Sequence, residues 1–130
     1  MKKNTIGVVC AIIEINNKML VVQRSESMKL PLKWEFPGGK IKPNELEEDA
    51  IKREIREELN IEIMVLNRLT PTCYEYPNIA IKLIPFLADY LSGDIELEEH
   101  KQYKLLKREE LNSLDWAEAD LPIVKELLQI

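Results

Sequence analysis

The chain has 130 residues, of which 45% are hydrophobic and 32% charged, and its formal net charge is −5. That length suits a single domain, 1–130, with a buried core, and no apolar run approaches the ~20 residues that a membrane-spanning helix needs. The acidic balance argues against a duplex-binding surface, which requires a basic patch against the phosphate backbone, but leaves a small nucleotide ligand open.

Lys2 and Lys3 lead into the apolar run Ile6–Ile13, a pattern shared with secretory signal peptides. Glu14 interrupts the run and no convincing cleavage site follows, so Ile6 to Ile15 reads as a buried strand. Asn16-Asn17 reads as a turn and Lys18 to Gln23 as the returning strand of a hairpin. Arg24 to Lys33 is polar and holds Pro31, which marks a loop. Trp34 to Phe36 is a short extended piece before Pro37-Gly38-Gly39, where paired glycines allow a tight turn and a close approach to a ligand. Asn44 is placed to cap a helix running to about Leu59, with acidic residues in its first turn where the helix dipole favours them. Ile61 to Leu66 resumes strand character. Arg68 to Tyr76 and Ile79 to Tyr90 read as a hairpin around Pro77-Asn78, and Ser92-Gly93-Asp94 as a turn. Lys101 to Leu106 is a strand. Arg108 to Leu114 and Asp120 to Leu128 read as helices, the second with Pro122 near its start. The fold class is α/β, a mixed sheet with helices against its faces. Cys10 and Cys73 read as two buried free thiols in a reducing cytoplasm.

Glu54, Glu57 and Glu58 stand at i, i+3 and i+4. At about 100° per residue they share one arc of a helix, and three crowded carboxylates repel one another. Hard divalent cations relieve that repulsion, and Mg²⁺ is usually held by a few carboxylates plus substrate phosphates. Taken alone, such a run is a solvated acidic face.

Gly39, five residues, Glu45, seven residues, then Arg53-Glu54-Ile55-Arg56-Glu57-Glu58-Leu59-Asn60-Ile61 resembles the signature of the Nudix hydrolases. Asn60 is the one departure and stands where the family has a second glycine. Asparagine is the usual second choice for the left-handed residue after a helix, so the departure is conservative. Trp34-Glu35-Phe36-Pro37-Gly38-Gly39-Lys40 is similar to the lead-in of MutT-type and CTP-pyrophosphohydrolase-type members. The resemblance implies an α/β/α sandwich and the reaction (d)NTP + H₂O → (d)NMP + pyrophosphate, with attack at the β-phosphorus. It also implies Mg²⁺, with Mn²⁺ a substitute, held by Glu54, Glu57, Glu58, the Gly39 carbonyl and an additional carboxylate, Glu99, with Glu98 second. Glu54 or Glu99 takes the proton from water. Arg53 and Glu45 hold these ligands from behind.

For the nucleotide, the resemblance points to Arg24, Gly38, Lys40 and Asp120, with Phe36 and Tyr76 flanking the base. Each has a plainer reading. Arg24 is an exposed arginine, Phe36 and Tyr76 are core residues, and Asp120 caps the last helix. His100, the only histidine, reads as a surface residue, because no nucleophile motif accompanies it. Two substrate classes stay open, oxidised purine triphosphates such as 8-oxo-dGTP and CTP or modified pyrimidine triphosphates. The competing class is a non-catalytic Nudix domain that binds a nucleotide metabolite and regulates a partner, and the full set of carboxylates argues against it. The chain is expected to act in the cytoplasm as a monomer or homodimer.

Overall fold

A computed structural model describes residues 4–129. Strand β1 (Thr5–Ile15) is the spine of an eight-stranded mixed sheet. The turn Asn16-Asn17, with both residues at positive φ, returns the chain into β2 (Lys18–Gln23). A left-handed pair is what a two-residue hairpin turn requires, and asparagine tolerates it. Two short strands follow, β3 (Trp34–Glu35) on β2 and β4 (Gly38–Lys40) on β1. Helix α1 (Glu47–Leu59) leads to β5 (Glu62–Arg68), β6 (Thr72–Tyr76) and β7 (Ile79–Ser92). β7 lies parallel to β1 over the register Thr5↔Ala80 to Glu14↔Asp89 and takes β5 and β6 antiparallel on its other edge. Strand β8 (Gln102–Leu106) closes on β2, and the chain ends in 3₁₀ segments and α2 (Leu121–Leu128).

Alternation along β1 builds two cores. Val9, Ala11 and Ile13 point to one face and pack with Ala50, Ile51, Ile55 and Leu59 of α1. Cys10 and Ile12 point to the other and pack with Trp34, Phe36, Trp116, Ile123, Val124 and Leu127. A period of two in a strand buried on both sides thus yields an α/β/α sandwich. Each large apolar side chain so buried contributes about 1.5–3 kcal/mol.

Four local readings are corrected. Asn44 does not cap α1. It sits at φ 63° in a turn, and the helix starts three residues later after Leu46, without a side-chain cap. Glu45 explains the delay, because its carboxylate accepts from the Lys42 N–H and from Arg53 and holds the segment as a turn. Gly38-Gly39 makes no tight turn; it pairs in extended form with Val9 and Cys10. Arg108–Ser113 is 3₁₀ rather than α-helical, and Cys73 is exposed on the outer side of β6. Asn60 does end α1 in the left-handed region, at φ 61°, and its N–H donates to Arg56 O. Asn60→Gly is therefore expected to change stability by less than about 0.5 kcal/mol and Asn60→Ala to cost about 1 kcal/mol, checked by urea unfolding.

Candidate active site

Rotation about α1 sorts its three acidic residues. Ile55 and Leu59 face the sheet, so Glu54 and Glu58 flank the buried stripe while Glu57 points outward. The side chain of Glu54 is 14% exposed and that of Glu57 54%. Glu58 lies deepest. Burial pushes its carboxyl up to about 8, the charges of Glu54, Glu35 and Glu99 add to the rise, and a hydrogen bond from the Gly38 N–H opposes it. Its Oε2 is buried with no hydrogen-bond partner.

Arg53 gathers the rest. Its Nε and NH2 grip Glu45 at 2.7 and 2.9 Å. NH1 donates to Glu54 at 2.8 Å and to Glu57 at 3.1 Å, and NH2 also donates to Lys40 O at 3.0 Å. A planar fork meets several oxygens at fixed angles, which a lysine cannot reproduce. The Glu45 carboxyl is held down at about 2 by this grip and by the Lys42 N–H.

Beside the helix opens a cavity of about 500 Å³. Arg24, Phe36, Gly38, Gly39, Lys40, Glu58, Tyr76 and Asp120 line it. Glu54, Glu57, Glu99, Arg53 and Glu45 do not. Glu99 is exposed on the loop before β8. That loop is fastened to the end of α1, with the Glu96 N–H on Leu59 O and the Glu98 N–H on Glu58 O.

The plain readings fare unequally. Arg24 is no loose arginine. It lies against Glu35, with NH1 3.0 and 3.2 Å from the two carboxylate oxygens, and its Nε donates to Lys29 O. Phe36 is 3% exposed and stacks on Trp116 at 4.9 Å, so only part of its surface serves the cavity wall. Tyr76 is half-buried and forms the wall by the hairpin tip. Asp120 makes no side-chain cap on α2. Its Oδ2 instead accepts from the Phe36 N–H at 2.9 Å. Burial pushes its carboxyl well above the usual range, helped by Glu35 and opposed by the Phe36 N–H and by Arg24.

Two residues escaped the sequence reading. Glu35 alternates with buried Trp34 and Phe36 and lines the cavity, and its position inside an apolar triplet was the available signal. His100 is not on the surface. Its side chain is 3% exposed and its Nε2–H donates to Glu35 Oε2 at 2.8 Å. Nothing local foretells a contact 65 residues apart.

The donor set suits a hard cation. Every candidate ligand is an oxygen, Glu58 Oε2 lacks a partner, and a Cβ at Gly39 would sit 2.3 Å from Glu54 Oε2, so the backbone there lies against the carboxylate. Among the described residues, no three acidic, histidine or cysteine side chains enclose a metal position as they stand. Arg53 engages Glu54 and Glu57, and Glu99 faces solvent.

A second hollow, of about 620 Å³, lies at the β1–β2 turn among Asn16, Asn17, Lys18 and Lys107, away from this machinery.

A family model described as NUDIX domain matches residues 3–127. The CTP pyrophosphohydrolase of Escherichia coli K12 is 33% identical over 125 residues, covering 96% of this chain and 93% of the relative. The 8-oxo-dGTP diphosphatase of the same organism is 30% identical over 115 residues, covering 88% and 89%. The solution structure of a MutT protein of the Nudix hydrolase family from methicillin-resistant Staphylococcus aureus 252 superposes with a TM-score of 0.80 at 43% identity, over 98% of each chain.

Proposed function

This chain belongs to the NUDIX domain family, and we propose that it is a cytoplasmic, metal-dependent nucleoside triphosphate pyrophosphohydrolase that releases a nucleoside monophosphate and pyrophosphate. The observation that carries the reading is the position of Glu58. It brings a partnerless buried oxygen to the junction of the carboxylate helix and the cavity. Glu54, Glu57, Glu58, Glu99 and the Gly39 carbonyl would hold Mg²⁺ or Mn²⁺. The chemistry such an ion supplies is neutralisation of phosphate charge and acidification of water.

The remaining work falls to the chain. Arg53 fixes the rotamers of Glu54 and Glu57 while Glu45 fixes Arg53. Glu54 or Glu99 accepts the proton of the attacking water. Arg24 and Lys40 supply positive charge at the cavity, and the Gly38 backbone allows close approach. Tyr76 and the free part of Phe36 flank the base. Asp120 accepts the Phe36 N–H with one lone pair of Oδ2, which leaves the second lone pair of Oδ2 and the whole of Oδ1 for the base edge. A carboxyl that favours its protonated form accepts through one oxygen and donates through the other, which suits the N3/N4 edge of cytosine and the O6/N1 edge of an oxidised guanine.

Turnover of 8-oxo-dGTP, dGTP, CTP, dCTP and 5-methyl-dCTP in Mg²⁺, with ADP-ribose as outgroup, decides between the two bases. A kcat/KM preference for one of these classes is expected. Nucleotide binding without turnover of any would leave a regulatory binding domain instead.

Arg53→Lys is expected to lower kcat by about 10–100-fold and to leave KM within about threefold, because charge survives but the fork does not. Steady-state kinetics check this. A rise in KM alone would mean that Arg53 meets substrate directly.

A further inference from the structure

Among the described residues the buried polar or charged side chains are His100 and Asp120; both line the cavity, and the proposed reaction gives His100 no task. Its partner, Glu35, is held from two sides, by His100 Nε2 at 2.8 Å and by Arg24 NH1 at 3.0 and 3.2 Å. Arg24 in turn donates to Lys29 O and so ties down the loop that borders the cavity. The three side chains form one chain of charge-assisted bonds, and all three line the cavity with Asp120.

Both ends of that chain are anchored through their backbone, so any movement falls to the side chains. The backbone on either side of His100 is fastened, with the Glu98 N–H on Glu58 O at 3.2 Å and the Lys101 N–H on Gln23 O at 2.9 Å. The ring cannot follow Glu35 if the carboxylate moves. Arg24 is bonded through its own N–H to Lys33 O and through its carbonyl to the Leu32 N–H, but its long side chain has torsional freedom and can follow. Without the imidazole, Glu35 and Arg24 can turn together towards solvent, and a bound nucleotide must then order both.

We propose that His100 is a positioning residue for nucleotide specificity: through Nε2 it fixes the Glu35 carboxylate, and through it the Arg24 guanidinium, in the wall that meets the base. This rests on the triphosphate reading above. The role concerns binding geometry, so it predicts a loss in KM and in discrimination between bases rather than in the chemical step.

The test compares wild type, H100L and H100Q on the favoured nucleotide and on a poor one from the same panel. H100L removes the donor at similar volume, while the glutamine amide can place an N–H near the position of Nε2. For H100L, KM for the favoured nucleotide is expected to rise about tenfold, as for loss of one charge-assisted bond, with kcat within about threefold. KM for the poor nucleotide is expected to stay within about twofold, and H100Q to recover most of the loss. A merely structural histidine would lower the active fraction, and with it the apparent kcat, equally for both nucleotides. Unchanged KM, equal damage to both nucleotides, or no rescue by glutamine would overturn the proposal. If H100L does not fold, H100N, whose amide falls short of Glu35, takes its place. If wild type turns over no triphosphate, the triphosphate reading fails by itself, and the same comparison is read as Kd for the nucleoside monophosphates by calorimetry. Unaltered Kd ratios in H100L, or no binding by wild type, would then overturn the positioning role as well.

Discussion

Glu58→Gln is expected to make the metal-free protein more stable at pH 8 and to lower its turnover by more than about a hundredfold. Both effects come from one buried carboxyl. In the fold it titrates at about 8 against an ordinary value of 4.5, chiefly because burial disfavours its charged form. The native state therefore keeps a proton that the unfolded chain has already released. Stability is fully present below about pH 4.5, falls as pH rises from there to about 8, and then levels off. The loss amounts to a few kcal/mol at most. Glutamine has no charge to bury, so the variant loses this part of the fall, while the raised Asp120 carboxyl contributes its own fall in both proteins. Glutamine also lacks the anionic oxygen that a divalent ion would take, which is why activity falls while stability rises. Urea unfolding of both proteins at pH 5 and pH 8 in EDTA measures the first effect, and steady-state kinetics in Mg²⁺ the second. Glu57→Gln provides the contrast. Glu57 is half exposed, so its loss is expected to reduce turnover with little change in stability at either pH.

Gly38→Ala and Gly39→Ala are expected to fail in opposite ways. A Cβ at Gly38 would lie 1.9 Å from Val9 O and 2.7 Å from Cys10 Cα, both backbone atoms of β1. Neither can retreat without breaking the pairing of β4 with β1. The expected cost is about 3 kcal/mol or more, at the upper end for overpacking. A Cβ at Gly39 would meet only the Glu54 carboxylate, at 2.3 Å from Oε2 and 2.8 Å from Oε1. That carboxylate is the far end of a flexible side chain and can swing aside at small cost in stability. It then leaves Arg53 and the place proposed for the metal. Thermal melts should show a marked loss for Gly38→Ala and a shift of a few degrees at most for Gly39→Ala. The activity of Gly39→Ala should fall at least tenfold. Equal melts for the two variants would refute the distinction.

The parts of this architecture that depend on short range were legible in the sequence. A turn of two asparagines, the apolar run of β1 and the spacing of three glutamates each act within a few residues, and they give the expected hairpin, buried strand and carboxylate arc. The arc did not show how unequal its members are. Depth separates Glu58 from Glu57, and depth depends on which face of α1 the sheet covers. Gly38-Gly39 misled because glycine signals both turns and close approach, and here only the second applies. Asn44 misled because capping was read without its competitor, the pull of Arg53 on Glu45. The Arg24–Glu35–His100 chain was out of reach. Its members come from the end of β2, from β3 and from the loop before β8, and only the closed sheet brings them together.

The central claim is that these carboxylates serve metal-assisted hydrolysis of a nucleoside triphosphate. It is tested most directly by titrating Mg²⁺ into a turnover assay and identifying the products by chromatography, with EDTA as the zero point. The account predicts no turnover in EDTA, a saturable rise with Mg²⁺ in wild type and none in Glu58→Gln, with nucleoside monophosphate and pyrophosphate as the products. Turnover that persists in EDTA, or release of nucleoside diphosphate and phosphate, would contradict it.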